Sequence, residues 1–505
     1  MSSSPPDADR GGDLLITLCR LLETLLTHTR STMYYNYRSL LSFFVAAGVL
    51  VGITACDSFT EGYDDDPTNA TTAETNLILN SAQVASILFH DGNHARISGM
   101  WTQQFTGSDR QYSGIENYNA NAGDFDNLWI TGYADVIGDL EEVKEDVRDT
   151  NPLVLGIAQV IQAHIYGTKA ALHGSIPYEE AGAGEENLNP KVTDQMAVYD
   201  GVLGTLDDAI SNLEEGGVSP GSQDIFFGGD AAAWIETAYT LRARFLLHMN
   251  RPGDALAAAQ NGISSPANNM IGPHGNTRSV DTNPFWLFVE EERPSYLTAN
   301  NSYAADLLDE ESGSLDRSNA KTDESARFSY YFTGEAGGWE LNTSSGAYFG
   351  QETDYPILTY VENELIKAEA ELLANGDLDA ALTALNNARE ATDDKFPDAD
   401  YYENYELDDF EDGGIANPQG ESQGNALLRE ILEEKYLSLM GHLEAFNDVR
   451  RTDNFLGIPP TEGDQLPQRF FIAQAEVTAN ENIERPIPGL FEVTPANDAI
   501  SYDGL

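Results

Sequence analysis

The chain of 505 residues is 41% hydrophobic, enough for a large core built as one big domain or two to three ordinary ones, and its 83 Asp and Glu outweigh 27 Lys and Arg to give a net charge of −56. That excess excludes nucleic acid and anionic lipid as ligands, because phosphate binding needs a basic surface and no basic run occurs. Only seven lysines are present and the acids are dispersed along the chain, a composition suited to concentrated salt, where a Debye length of about 3 Å at 1 M screens self-repulsion.

Residues 1–32 contain an apolar run, Leu14 to Leu26, interrupted by Arg20 and Glu23 and too short to span a membrane. A clearer pattern starts at Met33: Arg38, an apolar stretch from Leu40, then Ile53-Thr54-Ala55-Cys56. This order predicts a secretory signal ending at residue 55, with Met33 as the true start, and its last four residues resemble a bacterial lipobox with Ile where Leu is commoner. The lipobox implies cleavage before Cys56 and acylation of that cysteine. Cys19 is then removed, so no disulfide is expected. Residues 1–55 hold four acids and four bases, so the whole charge excess belongs to residues 56–505. Residues 56–72 are polar and acidic and read as a flexible tether; residues 73–505 read as a single domain.

Ala73 to Phe89 has helical apolar spacing and stops near Asp91-Gly92. His90 and His94, four apart, have the spacing of a metal-binding helix, but Gly92 weakens the helix and no third ligand is evident. Gly99 to Gly123 lacks periodicity and reads as an aromatic-rich loop. Asp126 to Val147 returns to helix through Trp129, Tyr133, Ile137 and Leu140. Helices follow along Val154–Ile165, Tyr199–Leu213 and Ala231–Asn250, and Asp254 caps a short one that completes a hairpin. Residues 268–351 break the rhythm with Gly, Asn, Ser, Thr and scattered aromatics, with short strand-like pieces such as Pro284–Val289; an irregular run this long usually has a function. Helix resumes with Pro356 in its first turn. Asn375-Gly376-Asp377 then ends one helix and caps the next, a hairpin resembling a tetratricopeptide unit. After an acidic loop at 393–423, one amphipathic helix is expected across Gly424 to Phe455, with Leu428, Ile431, Leu432, Tyr436, Leu439, Met440 and Leu443 on its apolar face.

No phosphate loop, zinc motif, nucleophile elbow, Cys-x-x-Cys or calcium loop occurs downstream of residue 55, so nothing indicates catalysis or a cofactor, although the acidic loops leave room for a structural cation such as calcium. Binding has positive indications. Sugar rings stack on aromatic faces while their hydroxyls pair with Asn, Gln, Asp and Arg, and both residue types concentrate in the two irregular stretches near 99–123 and 268–351. The candidate contacts are Trp101, Arg110, Tyr112, Trp286, Tyr296, Trp339 and Tyr348.

Five ordered segments resemble the SusD/RagB family of outer-membrane nutrient-binding lipoproteins. They are Gly174, Ile176, Pro177, Tyr178 and Ala181; Leu241, Arg242, Arg244 and Leu246; Pro356, Ile357, Leu358, Glu362 or Glu364, Ala368, Glu369 and Ala370; Ile431, Glu434, Lys435, Gly441, Glu444, Arg450 and Arg451; and Arg469, Phe470 and Glu476. His173, Ser175, Ala473 and Glu481 depart from the usual pattern. The resemblance implies a mainly α fold, in which tetratricopeptide-like hairpins form a superhelical scaffold while long irregular loops and a few short strands carry the ligand face. It also implies a lipid-anchored, exterior-facing outer-membrane protein that passes an oligosaccharide to a SusC-like TonB-dependent transporter. Peptide capture and a secreted glycoside hydrolase are the alternatives. Arg450 and Arg451 are expected to be structural, pinning the late helix with Glu444 and Asp448.

Overall fold

Helix α1 (Thr75–Asp91) begins the part of the chain that the computed structural model describes, residues 74–497 except 183, 185–186, 312 and 397–401. The signal segment, Cys56 and the tether lie outside the described residues. α1 buries Ile78, Leu79, Ala82, Ile87 and Phe89 and is followed directly by α2 (Asn93–Trp101). The expected helix over 126–147 forms in three parts: Asp126–Ile130, a π-helical stretch Thr131–Gly138, and α3 (Asp139–Val147). The π stretch passes Gly132 so close to α1 that a Cβ there would lie 3.0 Å from the Phe89 ring.

From α3 onward the helices pack in series. α4 (Pro152–His173), α5 (Gln195–Glu215), α6 (Ala231–His248) and α7 (Pro252–Ala259) each contact their predecessor, and α7 packs on α8 (Tyr360–Asn375), which pairs with α9 (Leu378–Lys395). This is the tetratricopeptide-like scaffold, its neighbours sharing one continuous core. At the α8–α9 turn the caps follow the sequence: Gly376 is left-handed with φ 63°, and the Asp377 side chain accepts from the Ala380 N–H at 3.0 Å. Asp254, expected to cap α7, instead lies inside its first turn and accepts from Arg251, which holds the cap position because Pro252 starts the helix.

Three expectations about local structure are corrected. Pro356 lies in a strand, Tyr355–Leu358, and α8 starts at Tyr360 with Thr359 as its cap, because residues 355–358 pair with Met270–Gly272. Pro284–Val289 is not strand: Asn283 caps a helical turn at Pro284–Trp286 that continues as a π turn, Leu287–Glu292. The stretch Gly424–Phe455 is two helices, α10 (Gln423–Ser438) and α11 (Leu443–Arg451), separated at Gly441, whose φ is 69°. The apolar side chains remain buried but are divided between two axes. The stretch 99–123 is also less irregular than expected, since α2 reaches Trp101 and another helical turn covers Arg110–Glu116.

Four two-stranded antiparallel pairs occur among the described residues. β1 (Thr106–Gly107) pairs with β5 (Leu297–Thr298), β2 (Ile176–Pro177) with β3 (Val192–Thr193), β4 (Met270–Gly272) with β8 (Tyr355–Leu358), and β6 (Phe332–Glu335) with β7 (Gly338–Leu341). Two of these pairs, β1–β5 and β4–β8, join segments far apart in sequence.

Candidate functional site

The gap between α10 and α11 anchors the irregular segments. A helix end leaves carbonyls without intrahelical partners. Here Gln104 Nε2 donates to the Tyr436 and Leu439 carbonyls at 2.9 and 3.1 Å, and Gln104 Oε1 accepts from the Gly441 N–H at 2.9 Å. The hydroxyls of Tyr331, Tyr348 and Tyr355 donate to the carbonyls of Leu437, Met440 and Gly441 at 3.0, 2.7 and 3.1 Å. Residues from both irregular stretches therefore cap one helix end, which holds the loops at a fixed distance from the scaffold.

Immediately beside Gln104, Gln103 adopts φ 54° and reaches a cleft of about 340 Å³. The cleft is lined by Gln103, Asn301, Tyr303, Asp306, Ser314 and Trp339 among others. Trp339, on β7, is half-buried, stands edge-on to Phe328 at 4.9 Å, and is fixed by the Ala299 N–H donating to its carbonyl at 2.9 Å. Asn301 has φ 61°, a conformation Asn tolerates better than most side chains. Ser302 caps the helical turn Tyr303–Leu308, which presents Asp306 to the cleft, and Asp306 accepts from the Ser314 N–H and hydroxyl at 2.6 Å each. Burial raises the Tyr303 phenol well above its ordinary range, so this group remains a neutral donor, bonded to the Leu456 carbonyl at 3.2 Å. The cleft thus presents the Trp339 ring, the Asn301 amide, the Gln103 amide, whose Nε2 already donates to the Pro459 carbonyl, and the bonded Asp306–Ser314 pair.

The seven residues expected to contact ligand are placed unequally. Trp339 lines this cleft. Arg110, whose side chain is 76% exposed, lies with its guanidinium 5.9 Å from the half-buried Tyr296 ring. The β1–β5 pairing brings these two together, and the β5 strand leads into Ala299, which is bonded to Trp339. Trp286 is half-buried at the end of its own turn. Trp101 and Tyr112 are corrected to core residues, 0% and 1% exposed. The Trp101 indole donates to the Ile115 carbonyl at 2.8 Å and packs on Phe125, Phe446 and Phe470. The Tyr112 hydroxyl joins Asn93 and Arg96 while its ring stacks on Phe288. Tyr348 is 4% exposed and committed to Met440. Sequence reasoning missed Gln103, Asn301, Asp306 and Ser314. Their one local signal is Asn300-Asn301-Ser302, a left-handed turn followed by a cap.

His90 and His94 face different surroundings: His90 stacks on His164 at 4.0 Å, whereas His94 packs against Phe125 and Phe470. Among the described residues no group of three or more His, Cys, Asp or Glu could hold a metal ion. Arg451 is buried and pairs with Glu369 and Asp448 at 2.6 Å each. Arg450 instead binds the carbonyls of Gln468 and Ala171, while Glu444 pairs with His248 at 2.6 Å, so Glu444 is not its partner.

A rigid helical-repeat scaffold that displays an irregular face with an aromatic cleft defines a class of ligand-capturing proteins. The chain belongs to the SusD-like family, whose model, described as starch-binding and associating with the outer membrane, matches residues 67–471. Solved structures share the fold. A SusD/RagB family protein from Bacteroides thetaiotaomicron superposes with a TM-score of 0.60 at 20% identity, covering 81% of this chain and 95% of its own. A SusD homologue from Parabacteroides distasonis reaches 0.65 at 16% identity, covering 84% and 98%. A chitin-binding SusD homologue from Flavobacterium johnsoniae gives 0.60 at 15% identity, covering 84% and 98%. A search of curated proteins gave no match.

Proposed function

We propose that the protein captures an oligosaccharide in the Trp339 cleft at the cell surface and hands it to a SusC-like TonB-dependent transporter, without itself performing catalysis. The observation that carries this reading is the pairing of the half-buried Trp339 ring with Gln103, Asn301, Asp306 and Ser314 in one open cleft. A pyranose buries its C–H face on indole and pairs its hydroxyls with planar amides and carboxylates. Membership of a family described as starch-binding and outer-membrane-associated supports the ligand class and the location. Attachment is assigned to a lipid on Cys56, which closes the lipobox-like Ile53-Thr54-Ala55-Cys56; among the described residues no helix is long and apolar enough to cross a membrane.

The test is a glycan and peptide array followed by calorimetry on protein beginning at Asp57. Trp339→Ala is expected to cost about 2 kcal/mol, roughly thirtyfold in Kd, for the glycan that binds. Unchanged affinity would remove the cleft from the reading, and binding of peptides alone would replace the ligand class.

A further inference from the structure

A second groove, about 540 Å³, lies between α8, α9 and the irregular segment, on the side of Tyr348. It is lined by the half-buried rings of Tyr330, Tyr360 and Phe396 together with Pro356, Thr353 and Lys395. Its lysine is unusual in this chain. Lys144, Lys191, Lys321, Lys367 and Lys435 pair with Glu141, Glu180, Asp409, Glu364 and Asp448 at 2.6–3.0 Å. Lys169 is wholly buried, 4.2 Å from the rings of both Trp129 and Tyr133. Lys395 is exposed as a residue yet has no carboxylate partner among the described residues, and its Nζ sits 4.7 Å from the Tyr330 ring and 5.3 Å from that of Phe396.

An ammonium held over aromatic faces gains some attraction from the rings but lacks the charge-assisted bonds that a carboxylate would supply. Although part of the residue is exposed, the enclosure of its ammonium among these rings and, second, the nearby Arg327 together lower Lys395 to about 8; Asp354 and Asp394 also line the groove. Asp354 is already engaged by the His274 N–H at 2.8 Å. Arg327 is committed to Glu434. The cation open to an incoming anion in this groove is therefore Lys395.

We infer that this groove is a second saccharide site, selective for sugars that carry a ring carboxylate, with Lys395 receiving the carboxylate and Tyr330 and Tyr360 the sugar faces. The sugar part of the inference rests on the proposed function; the anion part rests on Lys395. The two separate experimentally. Calorimetry on the chain from Asp57 compares tetragalacturonate with neutral maltotetraose, for wild type, Lys395→Gln, Lys395→Arg and Trp339→Ala, with circular dichroism confirming native structure. Tetragalacturonate is expected to bind wild type, to weaken about tenfold or more in Lys395→Gln, to be retained in Lys395→Arg, and to be unaffected by Trp339→Ala. Binding should also weaken above about pH 8 in wild type, and not in Lys395→Arg.

The inference is overturned if tetragalacturonate does not bind, if Lys395→Gln binds it like wild type, if maltotetraose binds equally well in a Lys395-dependent way, or if Trp339→Ala abolishes uronate binding. Failure of neutral glycans to respond to Trp339→Ala would overturn the first site and leave the Lys395 comparison readable.

Discussion

Gln104 joins the site to the scaffold, and its replacement by leucine isolates that link. The substitution keeps an apolar stem of similar length in a fully buried position but deletes three hydrogen bonds, two donated to the Tyr436 and Leu439 carbonyls and one accepted from the Gly441 N–H. The Leu439 carbonyl keeps a second donor, the His442 N–H at 3.1 Å, so two backbone groups are left unsatisfied. At about 1–3 kcal/mol for each buried unsatisfied group, the expected loss is about 2–6 kcal/mol. The assay is equilibrium urea unfolding in parallel with glycan calorimetry. Stability should fall by that amount, and affinity at the cleft should fall as well, because the adjacent Gln103 loses its anchored backbone. A loss below about 1 kcal/mol would refute the claim that the α10 end holds the loops. A large stability loss with unchanged affinity at a temperature where the variant is folded would refute the coupling to the site.

Glu434→Gln removes the charge facing Arg317 and Arg327 at a wholly buried position, where the Tyr402 hydroxyl also donates at 2.6 Å; breaking such a network is expected to cost about 3–5 kcal/mol in urea unfolding, with little relief from added salt. The surface behaves oppositely. A net charge of −56 predicts that wild-type stability rises between low and molar NaCl, and a flat salt profile would refute the salt-adapted reading. His94 is held at about 3, chiefly by burial and then by Lys169 and Arg96, so the folded state keeps it neutral while the unfolded chain protonates near 6.5. The unfolded state thus binds the extra proton below pH 6.5, and His94 costs stability as pH falls. Relative to wild type, His94→Gln should gain about 2 kcal/mol between pH 7 and pH 5, read as the change in the difference between their urea unfolding free energies.

The helical scaffold was legible because its signals are local. Apolar spacing marked α1, α3 to α6 and α8 to α10, and Asn375-Gly376-Asp377 announced a turn that the structure builds with those residues. Gly441 was legible as a family position but not as a break, since the apolar pattern runs straight through it; the break depends on Gln104, more than 300 residues earlier in the chain. Strand β8 was misread for a related reason. Pro356 suits a first helical turn until Met270–Gly272 arrives to pair with it. Contacts between distant segments leave no local trace.

The same argument explains why aromatic content located an irregular face but did not separate its open rings from its buried ones. Trp101, Tyr112, Tyr348 and Trp339 look alike in sequence, each an aromatic in a Gly- and polar-rich stretch. What separates them is whether the indole or phenol is needed to satisfy buried polar groups: the Tyr112 hydroxyl serves the side chains of Asn93 and Arg96. Trp101 serves the Ile115 carbonyl and Tyr348 the Met440 carbonyl, so each must be enclosed. Trp339 is held through its own backbone, by Ala299 across the strand, which leaves its ring free of that duty and available at the cleft. An aromatic on an irregular face is a candidate contact only when its polar atom is not already needed by the scaffold. At the α10 end that requirement falls on Tyr331, Tyr348 and Tyr355, whereas Trp101 answers to the Ile115 carbonyl, so the late helical pair accounts for the burial of the three tyrosines and leaves Trp339 outside its reach.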